Sequence, residues 1–252
     1  MHVLKIGGNE LDDADFLVAL AQAVARSSEP VVIVHGGGRA IADLQARLGL
    51  PTRKVDGLRV TDAESLAVAQ MVLSGQTNKL IVAAMLAAGV DAIGLSGVDG
   101  GLLRCRQKRH PTADLGYVGE IVQVRAELIH KVAMQGMTAV ISPISLGLDG
   151  QIYNVNADEA ASAVALALHA SRLNFVSNVP GVLHDNSIIP TLTITQAERL
   201  ISSGVIRDGM VPKVRAALAA VAQGVPQARI VNLAGLAEAS GTTFLEIGDY
   251  ES

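Results

Sequence analysis

Cysteine and aromatic residues are scarce in this chain, and their scarcity limits what the protein can be. Cys105 is the only cysteine among 252 residues, which excludes an internal disulfide and fits a reducing compartment. Trp is absent and aromatic residues make up 2% of the chain, whereas 50% of its residues are hydrophobic. The core must therefore be built from Ala, Val, Leu and Ile. The length suffices for one large α/β domain or two lobes.

Long apolar runs and basic blocks are also missing. The longest apolar run, Leu80 to Val90, is far shorter than the ~20 residues that a membrane-spanning helix needs. The first residues, Met1 to Gly8, lack the apolar region of a signal peptide. Lys and Arg number 20 against 24 Asp and Glu, a formal net charge of −4. We therefore expect a cytoplasmic protein that binds neither membranes nor nucleic acids.

Several common functional motifs do not occur. The P-loop pattern G-x-x-x-x-G-K-[ST] is absent, and the glycines of the chain do not complete the dinucleotide pattern G-x-G-x-x-G. The nucleophile elbow G-x-S-x-G is absent as well. No pair of His residues has helical metal-binding spacing and no Cys cluster exists, so the sequence predicts no metal site built from side chains.

One stretch combines a buried strand with three glycines. Val31 to Val34 are apolar and β-branched without alternation, which is typical of a strand covered on both faces. Gly36, Gly37 and Gly38 follow, and a helix is predicted from about Arg39. Glycines let the backbone turn sharply and expose its N–H groups, and the start of a helix attracts negative charge. The stretch predicts an anion site, most simply one for phosphate.

Two lysines stand where an anion would be needed. Lys5 lies one residue before the end of a predicted strand, His2 to Ile6, which runs into Gly7 and Gly8. Lys213 follows Pro212 in the first turn of a predicted helix, where a positive charge is unfavourable unless an anion is bound.

Three polar residues alternate farther along the chain. Asn154, Asn156 and Asp158 would project on one side of an extended segment, just before a predicted helix from Ala160 to Leu168. Their pattern predicts that they form the polar floor of a binding site. The alternative is that Asp158 only caps the helix.

Strands and helices alternate through the chain, which predicts an α/β fold: a three-layer αβα sandwich with a mainly parallel central sheet. We expect one continuous sheet with a soft boundary near Ala170. We expect a hairpin or an extended segment at 55–61, a separate helix at 77–88 and a solvated basic hairpin at 97–111. Capping boxes are predicted at Thr61 to Glu64 and at Thr195 to Glu198. The closing strands are predicted at 228–233 and 243–247.

Taken together, these residues resemble the amino acid kinase family. The motifs cover nearly the whole chain in the order of the family, and their combination is highly specific. They are Lys5-Ile-Gly-Gly8, His35-Gly-Gly-Gly38, Gly57-Leu-Arg-Val-Thr61, Asn78-Lys79, Gly94-Leu-Ser-Gly-Val-Asp-Gly-Gly101, Tyr153-Asn-Val-Asn-Ala-Asp158, Val179-Pro-Gly-Val-Leu183 and Asp208-Gly-Met210 with Lys213.

The resemblance implies ATP-dependent phosphorylation of the side-chain carboxylate of N-acetyl-L-glutamate in arginine biosynthesis. Lys5 and Lys213 would neutralise the moving phosphoryl group from opposite sides, and Asp158 would orient both. Backbone N–H groups of Gly8 and of Gly36 to Gly38 would donate to it. An acceptor that is already an ionised carboxylate needs no catalytic base.

The resemblance also divides the binding residues between two lobes. Residues 1–170 would bind the amino-acid substrate, and residues 171–252 would bind ATP with Mg²⁺ held through its phosphates. The implied substrate residues are Gly36, Gly37, Gly38, Arg59, Asn154 and Asn156, with Arg59 on the α-carboxylate. The implied nucleotide residues are Asn178, Val179, Pro180, Gly181, Val182, Leu183, Arg207, Asp208, Gly209 and Met210.

Some features depart from the family. Asn178 stands where the family usually has Asp, and it resembles the related kinase that acts on carrier-protein-bound aminoadipate in lysine biosynthesis. A non-catalytic nucleotide or metabolite sensor is the third alternative. The chain begins directly at its first strand, without the N-terminal helix of arginine-regulated hexameric members. The region 236–243 is also shorter than is usual in the family. These features predict a homodimer that arginine does not inhibit. His35 and Cys105 have no predicted functional role.

Overall fold

The computed structural model describes residues 1–8, 10–238 and 240–246. Among these residues, eight strands form one central sheet. In spatial order they are Thr191–Thr193 (β14), Thr242–Leu245 (β16), Ala228–Val231 (β15), Leu173–Val176 (β11), His2–Ile6 (β1), Val31–His35 (β2), Thr138–Ser142 (β8) and Ala92–Ser96 (β5). Within this sheet only β15 and β16 pair antiparallel; the other neighbours are parallel. The predicted fold class is confirmed.

Helices cover both faces of the sheet because its strands are apolar on both sides. On β1, for example, Leu4 and Val3 point into different hydrophobic clusters. The cluster of Leu4 includes side chains of Ala14–Ala25 (α1), Asn78–Ala87 (α4) and Leu233–Glu238 (α9). The cluster of Val3 includes side chains of Ala126–Met134 (α5), Ala157–Ala167 (α6) and Met210–Ala222 (α8).

A closed barrel beside the sheet was not predicted. Four of the described strands form it: Leu103–Gln107 (β6), Val118–Val124 (β7), Ile144–Gly147 (β9) and Ile152–Val155 (β10). The basic segment expected to be a solvated hairpin supplies β6. Its residues alternate, with Leu103 and Cys105 buried and Arg104 less so, because one face of the strand packs into the interior.

A small hairpin contacts the segment that follows β2, since Arg59 donates to the carbonyl of Gly38. Lys54–Val55 (β3) pairs antiparallel with Leu58–Arg59 (β4), which confirms the hairpin predicted at 55–61. Its turn consists of Asp56 and Gly57, both with positive φ. A second hairpin, which was not predicted, joins Leu183–His184 (β12) to Ser187–Ile188 (β13).

The structure corrects the start of the helix after Thr61. Gly38–Arg47 (α2) begins as expected, but Ala63–Gln70 (α3) is capped by Asp62, whose carboxylate accepts from Ser65 N–H at 2.8 Å. Thr61 is not the cap, because its hydroxyl donates to the carbonyl of Arg59. A π-helical segment, Met71–Thr77, joins α3 to α4 without a break, so the predicted separate helix at 77–88 is the end of one long helical run.

Two more boundaries differ from expectation near the end of the chain. Ile194–Ser202 (α7) has its capping box at Thr193 and Gln196, two residues before the predicted one at Thr195. The last strand, β16, begins at Thr242, whereas the prediction was 243–247; residue 247 lies outside the described residues. Helix α9 begins at Leu233, the last residue of the segment predicted as the strand 228–233, so β15 is shorter than expected.

The helix cap of α7 gives a direct test of this boundary. Thr193→Ala removes a hydroxyl that accepts from Gln196 N–H at 3.1 Å, so we expect the free energy of unfolding to fall by about 1 kcal/mol. Thr195→Ala is the matched control, because Thr195 is exposed inside the helix, and it should change stability by less than about 0.5 kcal/mol. Urea unfolding of both variants measures the difference. A larger loss in Thr195→Ala would contradict the assigned cap.

Candidate active site

A cleft of about 500 Å³ opens where strands β11, β1 and β2 end. The chain leaves β1 through α1 on one face of the sheet and enters β11 from α6 on the other. Neighbouring parallel strands whose connecting helices lie on opposite faces form a topological switch point. Ligands of open α/β sheets usually bind at the carboxyl ends of the strands there. The lining includes Lys5, Gly7, Gly8, Glu10, Gly38, Arg59, Asp158, Ser177, Asn178 and Lys213.

Lys5 and Asp158 form an ion pair on the floor of this cleft. Lys5 Nζ lies 2.8 Å from Asp158 Oδ1, and the two side chains are 17% and 34% exposed. Asp158 lies in the first turn of α6, but the cap of that helix is Asn156, whose Oδ1 accepts from Asp158 N–H at 2.7 Å. Helix α6 therefore starts three residues earlier than predicted. The alternative role of Asp158 as the cap is wrong, and its carboxylate is left for Lys5.

Lys213 brings a second ammonium group to the same place. It sits in the first turn of α8 as predicted, and its Nζ donates to Ser177 Oγ directly after β11. Burial lowers the pKa of Lys213 from its ordinary value, and the charge of nearby Lys5 lowers it further, whereas Glu10 and Asp158 act in the opposite direction. The cleft thus holds two neighbouring cations and suits a polyanion.

Ser177 and Glu10 were missed by the sequence analysis. Ser177 follows a strand whose four residues are all buried, and a polar residue at that position was the available signal. Glu10 lines the cleft with its Oε2 shielded from solvent, and nothing in the local sequence distinguishes it from a surface glutamate.

Gly8 and the glycine stretch meet at backbone distance. A Cβ on Gly8 would lie 2.7 Å from Gly37 Cα and 2.7 Å from Gly38 N, so only glycine permits the approach. Within the described residues, no acceptor is paired with the N–H groups of Gly8, Gly37 and Gly38. Gly36 is different, because its N–H donates to the carbonyl of Ile6 at 2.9 Å and so extends the sheet. The prediction that Gly36 N–H donates to a ligand is therefore wrong.

A second cavity of about 250 Å³ adjoins the first. The two share Lys5, Gly8, Gly38, Lys54, Arg59 and Asp158. The smaller one also contains Gly36, Gly37, Asn154 and Asn156, so all of the predicted substrate residues line it. Asn154 donates to Thr61 Oγ1 at 3.3 Å, and Arg59 donates to the carbonyl of Gly38 at 2.9 Å.

The predicted nucleotide residues differ in their surroundings. Asn178 lines the large cavity, whereas Val182 belongs to the core: its N–H donates to Thr242 Oγ1 at 2.8 Å and its carbonyl accepts from Ile189. Both backbone polar groups of Val182 are thus already paired within the protein. Leu183 begins β12 and is exposed, and Val179 and Met210 pack partly against the core. Gly181 lies against Thr242; Pro180 is half-buried; Arg207, Asp208 and Gly209 are exposed in the loop before α8.

His35 and Cys105 have no catalytic chemistry here. His35 is fully buried, its Nδ1 contacts the carbonyl of Gly36 at 3.1 Å and its Nε2 contacts Asn78 at 3.2 Å; burial lowers its pKa to about 4. Burial raises the pKa of the Cys105 thiol to about 12. Across the described part of the chain, no three or more His, Cys, Asp or Glu residues are placed to hold a metal, and no helix is long and apolar enough to cross a membrane.

Known proteins are similar to this chain over nearly its whole length. The acetylglutamate kinase of Roseiflexus castenholzii (strain DSM 13941 / HLO8) is 51% identical over 247 residues, covering 98% of this chain and 95% of that protein. The crystal structure of smu.665 from Streptococcus mutans UA159 has a TM-score of 0.82 and 30% identity, and covers 98% of both chains. Carbamate kinase from Giardia lamblia bound to AMP-PNP has the same fold, with a TM-score of 0.70, 15% identity and 98% of both chains covered.

The sequence model of the amino acid kinase family matches residues 1–232, which include both lysines, Asp158 and the glycine stretch. This match agrees with the three-layer fold and with the two joined cavities at the ends of β11, β1 and β2. The chain belongs to the amino acid kinase family.

Proposed function

We propose that this protein is an acetylglutamate kinase, which transfers a phosphoryl group from ATP to the side-chain carboxylate of N-acetyl-L-glutamate. The product is N-acetyl-L-glutamyl 5-phosphate, an intermediate of arginine biosynthesis. The observation that carries the proposal is the pair of neighbouring ammonium groups, Lys5 and Lys213, in the large cavity, where Lys5 also lines the adjoining smaller one. The identity of about half of the residues to a named acetylglutamate kinase supports it.

Phosphoryl transfer to a carboxylate requires little acid–base or covalent catalysis by the protein. The acceptor is already ionised at neutral pH, so no base has to remove a proton. The transition state spreads negative charge over the phosphoryl oxygens, which positive groups and N–H donors stabilise. In this proposal Lys5 and Lys213 neutralise that charge, Asp158 orients the two lysines, and Gly8, Gly37 and Gly38 donate backbone N–H groups.

The smaller cavity is the proposed acceptor site. The guanidinium of Arg59 would bind the α-carboxylate, since Arg suits the planar, two-point recognition of carboxylates. Asn154 and Asn156 line the same cavity and would supply amide groups, and Gly36 contributes space rather than a donor. In this proposal the acceptor site lies in residues 1–170.

The larger cavity is the proposed ATP side, and residues 171–252 contribute Phe175 to Asn178, Pro212 and Lys213 to its lining. Asn178 and Lys213 line it, and the exposed loop from Arg207 to Gly209 stands at the start of α8. Mg²⁺ would be held by the ATP phosphates and water, and the carboxylate of Asp158 is already paired with Lys5. Magnesium would shield negative charge on the phosphates.

Two further properties are part of the proposal. We place the enzyme in the cytoplasm, which a single buried cysteine fits. We also propose a homodimer, since the long helical run carries exposed apolar side chains, Met71, Leu80 and Leu86, that a second copy could cover.

Hydroxylamine trapping tests the reaction directly, because it converts an acyl phosphate into a coloured hydroxamate. With ATP and Mg²⁺ we expect hydroxamate from N-acetyl-L-glutamate and none from free L-glutamate, N-acetyl-L-aspartate or L-2-aminoadipate. Lys5→Ala and Lys213→Ala should each lower the rate by about a hundredfold or more. Lys131→Ala, which removes an exposed lysine of α5, is the matched control and should leave the rate unchanged.

Other outcomes identify the alternatives. A kinase for carrier-protein-bound aminoadipate, which Asn178 brings into consideration, would leave free acetylglutamate unphosphorylated. A sensor would bind ATP with no turnover of any acceptor. Either result would reject the proposed function, and normal turnover in both lysine variants would reject the assigned roles.

Asp158 and Asn156 can be separated by mutation. Asp158→Asn keeps the cap of α6 but removes the anion beside Lys5, so we expect a rate at least about tenfold lower in a folded protein. Asn156→Ala removes the cap and should cost about 1 kcal/mol of stability. Circular dichroism measures whether each variant is folded, thermal unfolding measures its stability, and the hydroxamate assay measures its rate. Asp158 would be a structural residue if its variant mainly unfolded.

The buried ammonium of Lys213 predicts an alkaline limb in the rate profile. Because burial lowers the pKa of Lys213, it loses its proton at a lower pH than an exposed lysine does. The neutral amine cannot stabilise the phosphoryl group, so kcat/KM for ATP should fall as pH rises through that pKa. Lys213→Arg stays charged and should be slower overall, with the fall moved to higher pH. An unmoved limb in Lys213→Arg would show that another group titrates.

A further inference from the structure

Gln45 is a buried polar residue that the reaction outlined above does not use. It lies on α2, is 1% exposed, and makes three side-chain hydrogen bonds. Its Oε1 accepts from Arg59 Nη1 at 2.5 Å and from Thr52 Oγ1 at 3.1 Å, and its Nε2 donates to Ser65 Oγ at 2.9 Å. A buried amide is costly unless each of its atoms is paired, and both atoms of this one are.

The direction of the amide follows from its partners. A guanidinium has only donors, so the atom that faces Arg59 must be the oxygen, and the nitrogen then faces Ser65. Ser65 itself is fixed, because its N–H donates to Asp62 at the start of α3. The chain of contacts runs from α3 through Gln45 to Arg59 and holds the amide oxygen at one place.

Arg59 is held at two points and keeps further donors. Nη1 donates to Gln45 and Nη2 donates to the carbonyl of Gly38, while Arg59 lines both cavities. A guanidinium has five N–H donors, so three remain after these two bonds, and a carboxylate needs two. Both internal partners are neutral oxygens, which fix the plane of the guanidinium without cancelling its charge.

We infer that Gln45 is a positioning residue that sets the orientation of Arg59 for the α-carboxylate of the acceptor, and so helps the site select acceptors that carry that group. The inference rests on the proposed function for the identity of the acceptor. A loose guanidinium on the short strand β4 could turn toward water, and binding a carboxylate would then cost the entropy of ordering it. The contact with Gln45 removes that cost in advance.

The test compares two acceptors that differ only in the α-carboxylate. N-acetyl-L-glutamate carries it, and 4-acetamidobutanoate lacks it while keeping the carboxylate that is phosphorylated. Gln45→Met keeps the side-chain size and removes the acceptor atom. We expect KM for N-acetyl-L-glutamate to rise on the order of tenfold, with kcat changed less than about threefold and KM for ATP unchanged. The kcat/KM for 4-acetamidobutanoate should stay the same, so the preference between the acceptors falls by the same tenfold.

Controls separate positioning from a general loss of structure. Gln22→Met, at an exposed position of α1, should leave all constants unchanged. In Arg59→Met the preference for the α-carboxylate should already be lost, so adding Gln45→Met should lower it no further. A merely structural role predicts equal losses with both acceptors, and that result, or an unchanged preference in Gln45→Met, would overturn the inference.

Failure of the proposed function would give a different experimental result from failure of the inference about Gln45. It shows as no hydroxamate from either acceptor in the unaltered protein, before any variant is made. The contact between Gln45 and Arg59 is then judged by urea unfolding of the two single variants and the double variant. Non-additive effects support a fixed Arg59, and additive effects overturn it.

Discussion

Two ammonium groups share the floor of one cleft, and the negative charge of Asp158 offsets part of the repulsion between them. Lys5 is paired with it at 2.8 Å, and Lys213 lies near enough for its pKa to respond to both charges. Partly buried like charges repel, so they persist only where the surrounding structure holds them. Here β1 fixes Lys5, the first turn of α6 fixes Asp158, and the first turn of α8 fixes Lys213. The sheet and its flanking helices bring the end of β1 and the first turns of α6 and α8 together.

The features that could be predicted from the sequence are those that neighbouring residues decide. The unbroken apolar run before Gly36 specifies a buried strand, and Lys5 before two glycines specifies a charged strand end. The polar alternation from Asn154 to Asp158 led to three residues that do line one cavity. Each of these patterns has its physical reason within a few residues, so no knowledge of the remote chain was needed.

The features that were missed depend on contacts between distant segments. The barrel requires β6, β7, β9 and β10 to pair in register across the chain, and no local pattern fixes that register. The cap of α7 depends on where β14 ends, since Thr193 and Thr195 are equally good capping residues by type. Gly36 lost its predicted role for the same reason, because pairing of β1 with β2 places the Ile6 carbonyl next to its N–H.

The glycine stretch then gains a more specific meaning than a phosphate cradle. Gly8 and Gly37 approach so closely that a methyl group on Gly8 would separate them. Gly8 and Gly38 line both cavities, and Gly37 lines the smaller one. N–H groups at a boundary can serve a group that passes from one cavity to the other, whereas a resting phosphate needs donors within its own pocket. In the proposed reaction the group that passes is the phosphoryl group. In that proposal, the absence of side chains at Gly8, Gly37 and Gly38 keeps open the path along which the phosphoryl group would move, close to Lys5 and Lys213.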